Sequence, residues 1–203
     1  MTHATLPVPS ILAGFSEPVA QSQATFRAAL NALAHPGRVQ SIPAEGATHP
    51  ERFSPALTAL LLTLVDQDTP VWLPEGVGAD AQRYLRFHCG CPLVSNPSDA
   101  RFLVGPLGFE WPALAACEAG DPAYPDRSAT LLLEVQSLTE GPAVTLSGPG
   151  IADRYTLSIA GLPAGFWEQW QANHHRFPLG VDVFFIQGAQ FCALPRTTRV
   201  QEI

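Results

Sequence analysis

Lysine is absent from this 203-residue chain: all 11 of its basic residues are arginine. No side chain can form an aldimine with pyridoxal phosphate or a Schiff base with a carbonyl substrate, and no Walker A loop can be completed, because each needs a lysine amine. Cysteine is sparse too, at four residues. Cys89, Cys91, Cys117 and Cys192 lack the density of a disulfide-stapled secreted domain, which fits a reducing compartment. The longest apolar stretch, Leu57 to Val65, ends at Asp66, well short of the ~20 residues a membrane-spanning helix needs. Basic clusters are also missing. A net charge of -7 with a pI of 5.2 leaves no footprint for a phosphate backbone, so no nucleic acid and no membrane partner is expected. The first basic residue is Arg27, so the chain opens without the charged start of a secretory signal; the expected location is the cytoplasm.

What is present describes one α/β domain over residues 1–203, with an extended N-terminal segment at 1–20. Ser22 can cap a first helix whose apolar positions Phe26, Ala29, Leu30 and Leu33 follow helical spacing, ended by His35, Pro36 and Gly37. A short strand at Val39 to Ile42 precedes a loop containing Pro43, Gly46 and Pro50. Ser54 and Pro55 open a second helix with the stripe Leu57, Leu60, Leu61 and Leu64. A strand at Thr69 to Leu73 follows, then a third helix capped by Asp80 and carrying Ala81, Tyr84, Leu85 and His88, then strands at Leu93–Val94 and Phe102 to Val104. Trp111 to Glu118 reads as a helix. Thr130 to Val135 and Val144 to Leu146 read as an antiparallel hairpin around Glu140, Gly141 and Pro142. A strand at Tyr155 to Ile159, a helix with Phe166, Trp167, Trp170 and His174, and a final pair joined at Gln187–Gly188 complete a mixed sheet covered by helices.

Several residue groups carry possible chemistry. Gly76, Gly78 and Ala81 match a dinucleotide loop in letters only, since Pro74 and Glu75 part them from the strand and no acid-ended second strand follows; a plain loop is the better reading. His88, Cys89 and Cys91 offer imidazole and thiolate donors for zinc, but Cys-x-Cys is not the usual knuckle spacing, and a helix-end histidine also serves to cap carbonyls. His174 and His175 point to different helix faces and read as one packed and one solvated residue. Asp66 and Asp68 could hold a ligand or act as acid and base, or simply cap their own loop. Arg86, Arg176, Arg196 and Arg199 could each clamp a phosphate or phosphonate bidentately, or form an ordinary ion pair.

Taken together, a series of strings stops looking generic: Thr25–Phe26–Arg27 with Pro36–Gly37; the run from Leu62 through Asp66–Gln67–Asp68 to Trp72–Leu73; Arg86–Phe87–His88 leading to Pro92–Leu93–Val94; Ala129 to Val135; Gly148–Pro149–Gly150–Ile151; Phe177 to Asp182; and Pro195–Arg196–Thr197–Thr198. Their order and spacing resemble the H subunits of the bacterial carbon-phosphorus lyase system for phosphonate use, over nearly the whole chain.

That resemblance implies a three-layer α/β/α sandwich with a mixed sheet, similar to the large domain of pyridoxal-phosphate-dependent transferases but without the cofactor, in agreement with the missing lysine. It implies an accessory or non-catalytic role beside the G, I and J subunits, with direct contact to I and a homodimer in isolation. In that family, G, H and I with an ATPase-like partner make ribose 1-phosphonate 5-triphosphate from ATP and a phosphonate, displacing adenine, and J later breaks the carbon-phosphorus bond. No catalytic residue carries over to this chain, and no cofactor or metal is expected. The candidate ligand or interface residues are Arg27, Asp66, Asp68, Arg86, His88, Asp182 and Arg196; all but Arg27 lie at predicted element ends, and several of those six are expected to converge on one cleft or interface edge. Two rival readings stand beside this one: an autonomous transferase using Asp66, Asp68, Arg86 and Asp182, and a metal-binding module at His88 and Cys91.

Overall fold

The computed structural model describes residues 11–42 and 48–202. Residues 1–10 of the expected extended segment, and Pro43 and Gly46 of the expected loop, lie outside these. The centre is a seven-stranded sheet in the order β1 (Gln40–Ser41), β9 (Gln190–Leu194), β8 (Asp182–Gln187), β5 (Thr130–Glu134), β4 (Phe102–Gly105), β2 (Val71–Trp72), β3 (Leu93–Val94). From β8 to β3 every neighbouring pair is parallel; β8–β9 and β9–β1 are antiparallel. A separate antiparallel sheet has the order β10 (Arg199–Glu202), β6 (Ala143–Ser147), β7 (Tyr155–Ser158).

Both faces of the large sheet are buried, and successive residues feed opposite cores. Val104, Leu132, Phe184, Ile186, Phe191 and Ala193 meet α1 (Pro18–Ala34), α2 (Pro55–Leu64) and α3 (Ala79–His88) on one side. Leu103, Leu131, Leu133, Val183, Phe185, Cys192 and Leu194 meet α4 (Phe166–His174) and the small sheet on the other. The fold is therefore α/β with a mixed sheet and four helices among the described residues, and the second face is shared between one helix and a three-stranded sheet.

The second helix forms as the sequence dictates. Ser54 accepts a hydrogen bond from the Leu57 amide at 3.4 Å, Pro55 occupies the first turn, and Leu57, Leu60 and Leu61 are wholly buried. Pro18 likewise starts α1, four residues before the expected cap. Its buried face is rotated from the expected one: Ala29 is buried and Leu33 packs against the core as expected, but Thr25 and Ala32 face inward in place of Phe26 and Leu30, which are about half exposed. Small residues let α1 approach α2 and β9 closely, and that close approach outweighs burying the larger side chains. Gly150 belongs to the same fit, since a Cβ there would lie 2.2 Å from the Ala34 carbonyl oxygen.

Two expected elements are replaced. Trp111 to Glu118 holds only a single 3-10 turn at Leu114–Ala116, because Pro112 biases Trp111 toward extended backbone and the only turn hydrogen bonds run three residues back. The hairpin between Thr130–Val135 and Val144–Leu146 does not exist. β5 is an interior parallel strand buried on both faces, as its unbroken Leu131–Leu133 run signals, whereas β6 alternates buried and half-buried residues and pairs with β7 and β10. The β8–β9 hairpin forms as expected, around Gly188 and Ala189.

No helix among the described residues is long and apolar enough to cross a membrane. Leu61→Ala should cost about 2 to 5 kcal/mol through the cavity it leaves. Urea denaturation measures this, and a loss below ~1 kcal/mol would place Leu61 outside the monomer core.

Candidate functional site

Because β2, β3, β4, β5 and β8 run parallel, the loops entering them share one edge of the sheet. Asp66 and Asp68 precede β2, Arg86 and His88 precede β3, and Asp182 begins β8. The candidates nevertheless form two groups. β5 and β4 lie between β8 and β2, so three strand spacings, about 14 Å, separate them along the edge. Arg27 belongs to neither group: it sits exposed in the middle of α1. Asp66, Asp68, Arg86 and His88 thus gather at the β2–β3 end of the sheet while Asp182 and Arg196 stand apart at β8, because proximity to an element end fixes the sheet edge but not the strand.

At β8, Arg196 is fully committed to its own chain. Its Nε and a terminal nitrogen donate to the two Asp182 carboxylate oxygens at 3.1 and 2.6 Å, and its backbone amide donates to the first of these at 2.7 Å. The other terminal donors go to the Pro125 carbonyl at 2.9 Å, the Pro178 carbonyl at 3.5 Å and the Ser128 hydroxyl. All five guanidinium donors are thereby used, and none remains to clamp a phosphonate. The clasp instead ties the Phe177–Asp182 and Pro195–Thr198 strings to the loop at Pro125.

Just before β2, Asp66 caps its own turn. Asp66 accepts from the Asp68 amide at 3.0 Å and the Thr69 hydroxyl at 3.1 Å, and both carboxylates are exposed. His88 donates through Nε2 to the Leu12 carbonyl at 2.8 Å, and Tyr84 donates to the carbonyls of Thr48 and Ala13 at 3.1 and 3.3 Å. These bonds pin the chain around residues 12 and 48 onto α3. Cys89 donates weakly to the Leu61 carbonyl. Burial first, and then the Cys91 and Asp66 charges, push its thiol up to about 12, while burial raises Cys91 as well. No group of three His, Cys, Asp or Glu among the described residues is placed to hold a metal.

Two residues escaped the sequence reading. Arg101, just before β4, has one buried terminal nitrogen with no partner among the described residues. Glu134 ends β5 almost fully buried and accepts from the Ser54 amide at 2.7 Å and the Leu107 amide at 3.0 Å. It also lines a cavity of about 520 Å³ with Phe109, Glu110, Trp111 and Gln136, at the carboxyl end of the parallel strands. A carboxylate closing a three-leucine strand was the available signal; its partners, 80 and 27 residues away, were not legible.

Arg196→Ala should lower the melting temperature sharply, since it strands a largely buried Asp182 carboxylate, at a cost of about 3 to 5 kcal/mol. A calorimetric change of under ~1 kcal/mol would mean that the clasp is absent in solution. The thiols predict a pH dependence. Ordinary thiols ionise near 9.0, whereas Cys89 and Cys192 hold their protons to about 12 and Cys117 to about 11, in each case through burial first. Above pH 9 the folded chain thus retains protons that the unfolded chain loses, so stability is intact below that pH and falls as pH rises. Denaturation midpoints at pH 8, 9 and 10 should decline in that order, and a midpoint that holds or rises would contradict the burial of these thiols.

Comparison with known proteins agrees with this picture. Residues 13–201 match the model of the family described as bacterial phosphonate metabolism protein (PhnH). A Rhizobium meliloti (strain 1021) protein named alpha-D-ribose 1-methylphosphonate 5-triphosphate synthase subunit PhnH is 34% identical over 188 residues, covering 92% of this chain and 94% of that protein. A Stutzerimonas stutzeri protein named putative C-P lyase subunit protein HtxG is 31% identical over 184 residues, covering 89% and 86%. With the clasp and nine of the ten described strands wholly inside the matched span, this chain belongs to the PhnH family of bacterial phosphonate metabolism proteins.

Proposed function

We propose that the chain is an accessory, non-catalytic subunit of the carbon-phosphorus lyase core complex, needed for making ribose 1-phosphonate 5-triphosphate from ATP and a phosphonate. The observation that carries this reading is the 34% identity, spread along 94% of a protein named as a subunit of that synthase. The geometry supports the accessory part: Arg196 and Asp182 satisfy each other, Asp66 caps its own turn, and the two groups are separated by two strands. An autonomous transferase built on Asp66, Asp68, Arg86 and Asp182 would need those groups around one substrate. The metal-binding alternative would need further donors beside His88 and Cys91, and no group of three His, Cys, Asp or Glu among the described residues is placed to hold a metal.

In this reading the chain works in the cytoplasm beside the G, I and J subunits, in direct contact with I, and forms a homodimer when isolated. Its outer surface is suited to company: α1 exposes Val19, Phe26 and Leu30, one apolar line on a helix face. The fold is of the α/β/α kind found in the large domain of pyridoxal-phosphate-dependent transferases, here without the cofactor, in keeping with helices on both sheet faces and no lysine.

Co-expression with the other subunits, with the affinity tag on I, tests the assembly. This chain should be retained through size exclusion in fixed stoichiometry, and alone it should elute as a dimer and leave ATP and methylphosphonate unchanged. Turnover by the isolated chain, or its loss from the tagged complex, would defeat the reading.

A further inference from the structure

We propose that the end of α4 and the start of β10 form a binding site for a tetrahedral oxyanion, a phosphate or phosphonate group, gripped by Arg199. Two cavities of about 300 and 500 Å³ meet there, and both are lined by His174 and Arg199. The first continues to Gln171 and His175, and the second to Thr197 and Phe177. No carboxylate lines either one, although the chain has 18 acidic residues against 11 basic. A concave surface free of acids on an acidic protein is where an anion meets least repulsion.

Arg199 differs from Arg196 in what it has left to give. Its Nε donates to Nε2 of His174 at 3.3 Å, and its terminal nitrogens have no acceptor among the described residues. His174 is fixed in turn. Its Nδ1 must donate to the Arg196 carbonyl at 2.9 Å, because a carbonyl only accepts, so Nε2 is the bare nitrogen that accepts from Arg199. The imidazole is therefore a positioning group: it occupies the Nε edge of Arg199 and leaves the two terminal NH2 groups, the end-on fork suited to two phosphate oxygens.

The surroundings fit such a ligand. At the end of α4 the amides of His175, Arg176 and Phe177 donate to the carbonyls of Gln171, Asn173 and His174, and the Arg199 guanidinium beside them offsets the negative pole of the helix that an anion would otherwise meet. Gly148, on the cavity wall, must be glycine: its φ is +131°, and a Cβ would lie 2.9 Å from the Thr197 carbonyl oxygen. Over half of the Phe177 surface is exposed, giving the larger cavity an apolar wall for the substituent of an organic phosphonate. Three strings that carry the family resemblance, at Gly148, Phe177 and Pro195, meet at this place, and the Arg196–Asp182 clasp supports it from behind.

The site stands apart from the assembly reading, because it is tested on the isolated chain. Amide resonances are followed by nuclear magnetic resonance during titration with inorganic phosphate, methylphosphonate and ATP. Saturable shifts confined to residues around Gly148, His174 and Arg199, at about 1 mM ligand or below, are expected. Arg199→Ala should weaken binding at least about tenfold while the chain stays folded by circular dichroism. His174→Gln, which keeps an acceptor near the Nε2 position, should bind better than His174→Ala. Arg83→Ala, which removes the same charge from α3 on the other face of the sheet, should bind as the wild type does. Tighter binding of methylphosphonate than of phosphate identifies an organic phosphonate as the ligand, tighter binding of ATP a triphosphate tail, and equal binding a bare oxyanion. Shifts scattered over the surface, no saturation with any of the three, or equal binding by Arg199→Ala would overturn the site, and would leave co-purification with the other subunits untouched.

Discussion

The large sheet has no wet face, and that constraint shapes everything else in the molecule. β5, β8 and β9 send alternate residues into two separate cores, so Leu132 packs under the α1–α3 layer while Leu131 and Leu133 pack under α4 and the small sheet. Every interior position on these strands is apolar, and polar residues such as Glu134, Asp182, Gln187 and Gln190 appear at their ends. Chemistry can therefore sit only in the loops along the two edges and on the outward surfaces of the covering layers. The same demand explains why α1 presents Ala29 and Ala32 inward, since a helix lying close on α2 and β9 has room for methyl groups rather than for Phe26 and Leu30.

Within those limits the polar residues divide by what they already hold. Asp182 and Arg196 neutralise each other and fasten the end of β9 to the start of β8 and to the loop at Pro125. Glu134 holds the Ser54 and Leu107 amides and so joins the start of α2 to the loop after β4. Each is a long-range tie rather than an idle reactive group. Arg199, three residues beyond Arg196, is held by one bond through Nε and keeps its remaining donors, so two arginines close in the chain are opposite in character: one structural, one available.

Much of this was legible in the amino-acid sequence. Ser54–Pro55 and the leucine stripe placed α2 to within a residue, and the β8–β9 hairpin followed from two apolar runs flanking Gly188. What misled was local signal read without its tertiary partner. Phe26 and Leu30 have helical spacing equal to that of Thr25, Ala29 and Ala32, and only the closeness of α2 chooses between them. β5 and β6 look like hairpin arms in sequence, yet β5 finds its neighbours 28 and 52 residues away, as in Thr130 opposite Phe102 and Asp182. For the candidate site, the residue types were legible but their partners were not. Arg196 was recognised as either clamp or ion pair, and only the fold shows it saturated; Glu134 and Arg101 drew no notice because their surroundings are made by distant segments.

In the proposed function this chain is a scaffold and an anion-holding surface within a phosphonate-activating assembly, with the reaction itself carried by its partners. The most direct measurement is adenine release from ATP, dependent on methylphosphonate, by the co-expressed complex with and without this chain. The account predicts release only when the chain is present, with no release by the chain alone. Equal rates from a complex lacking it would contradict the account.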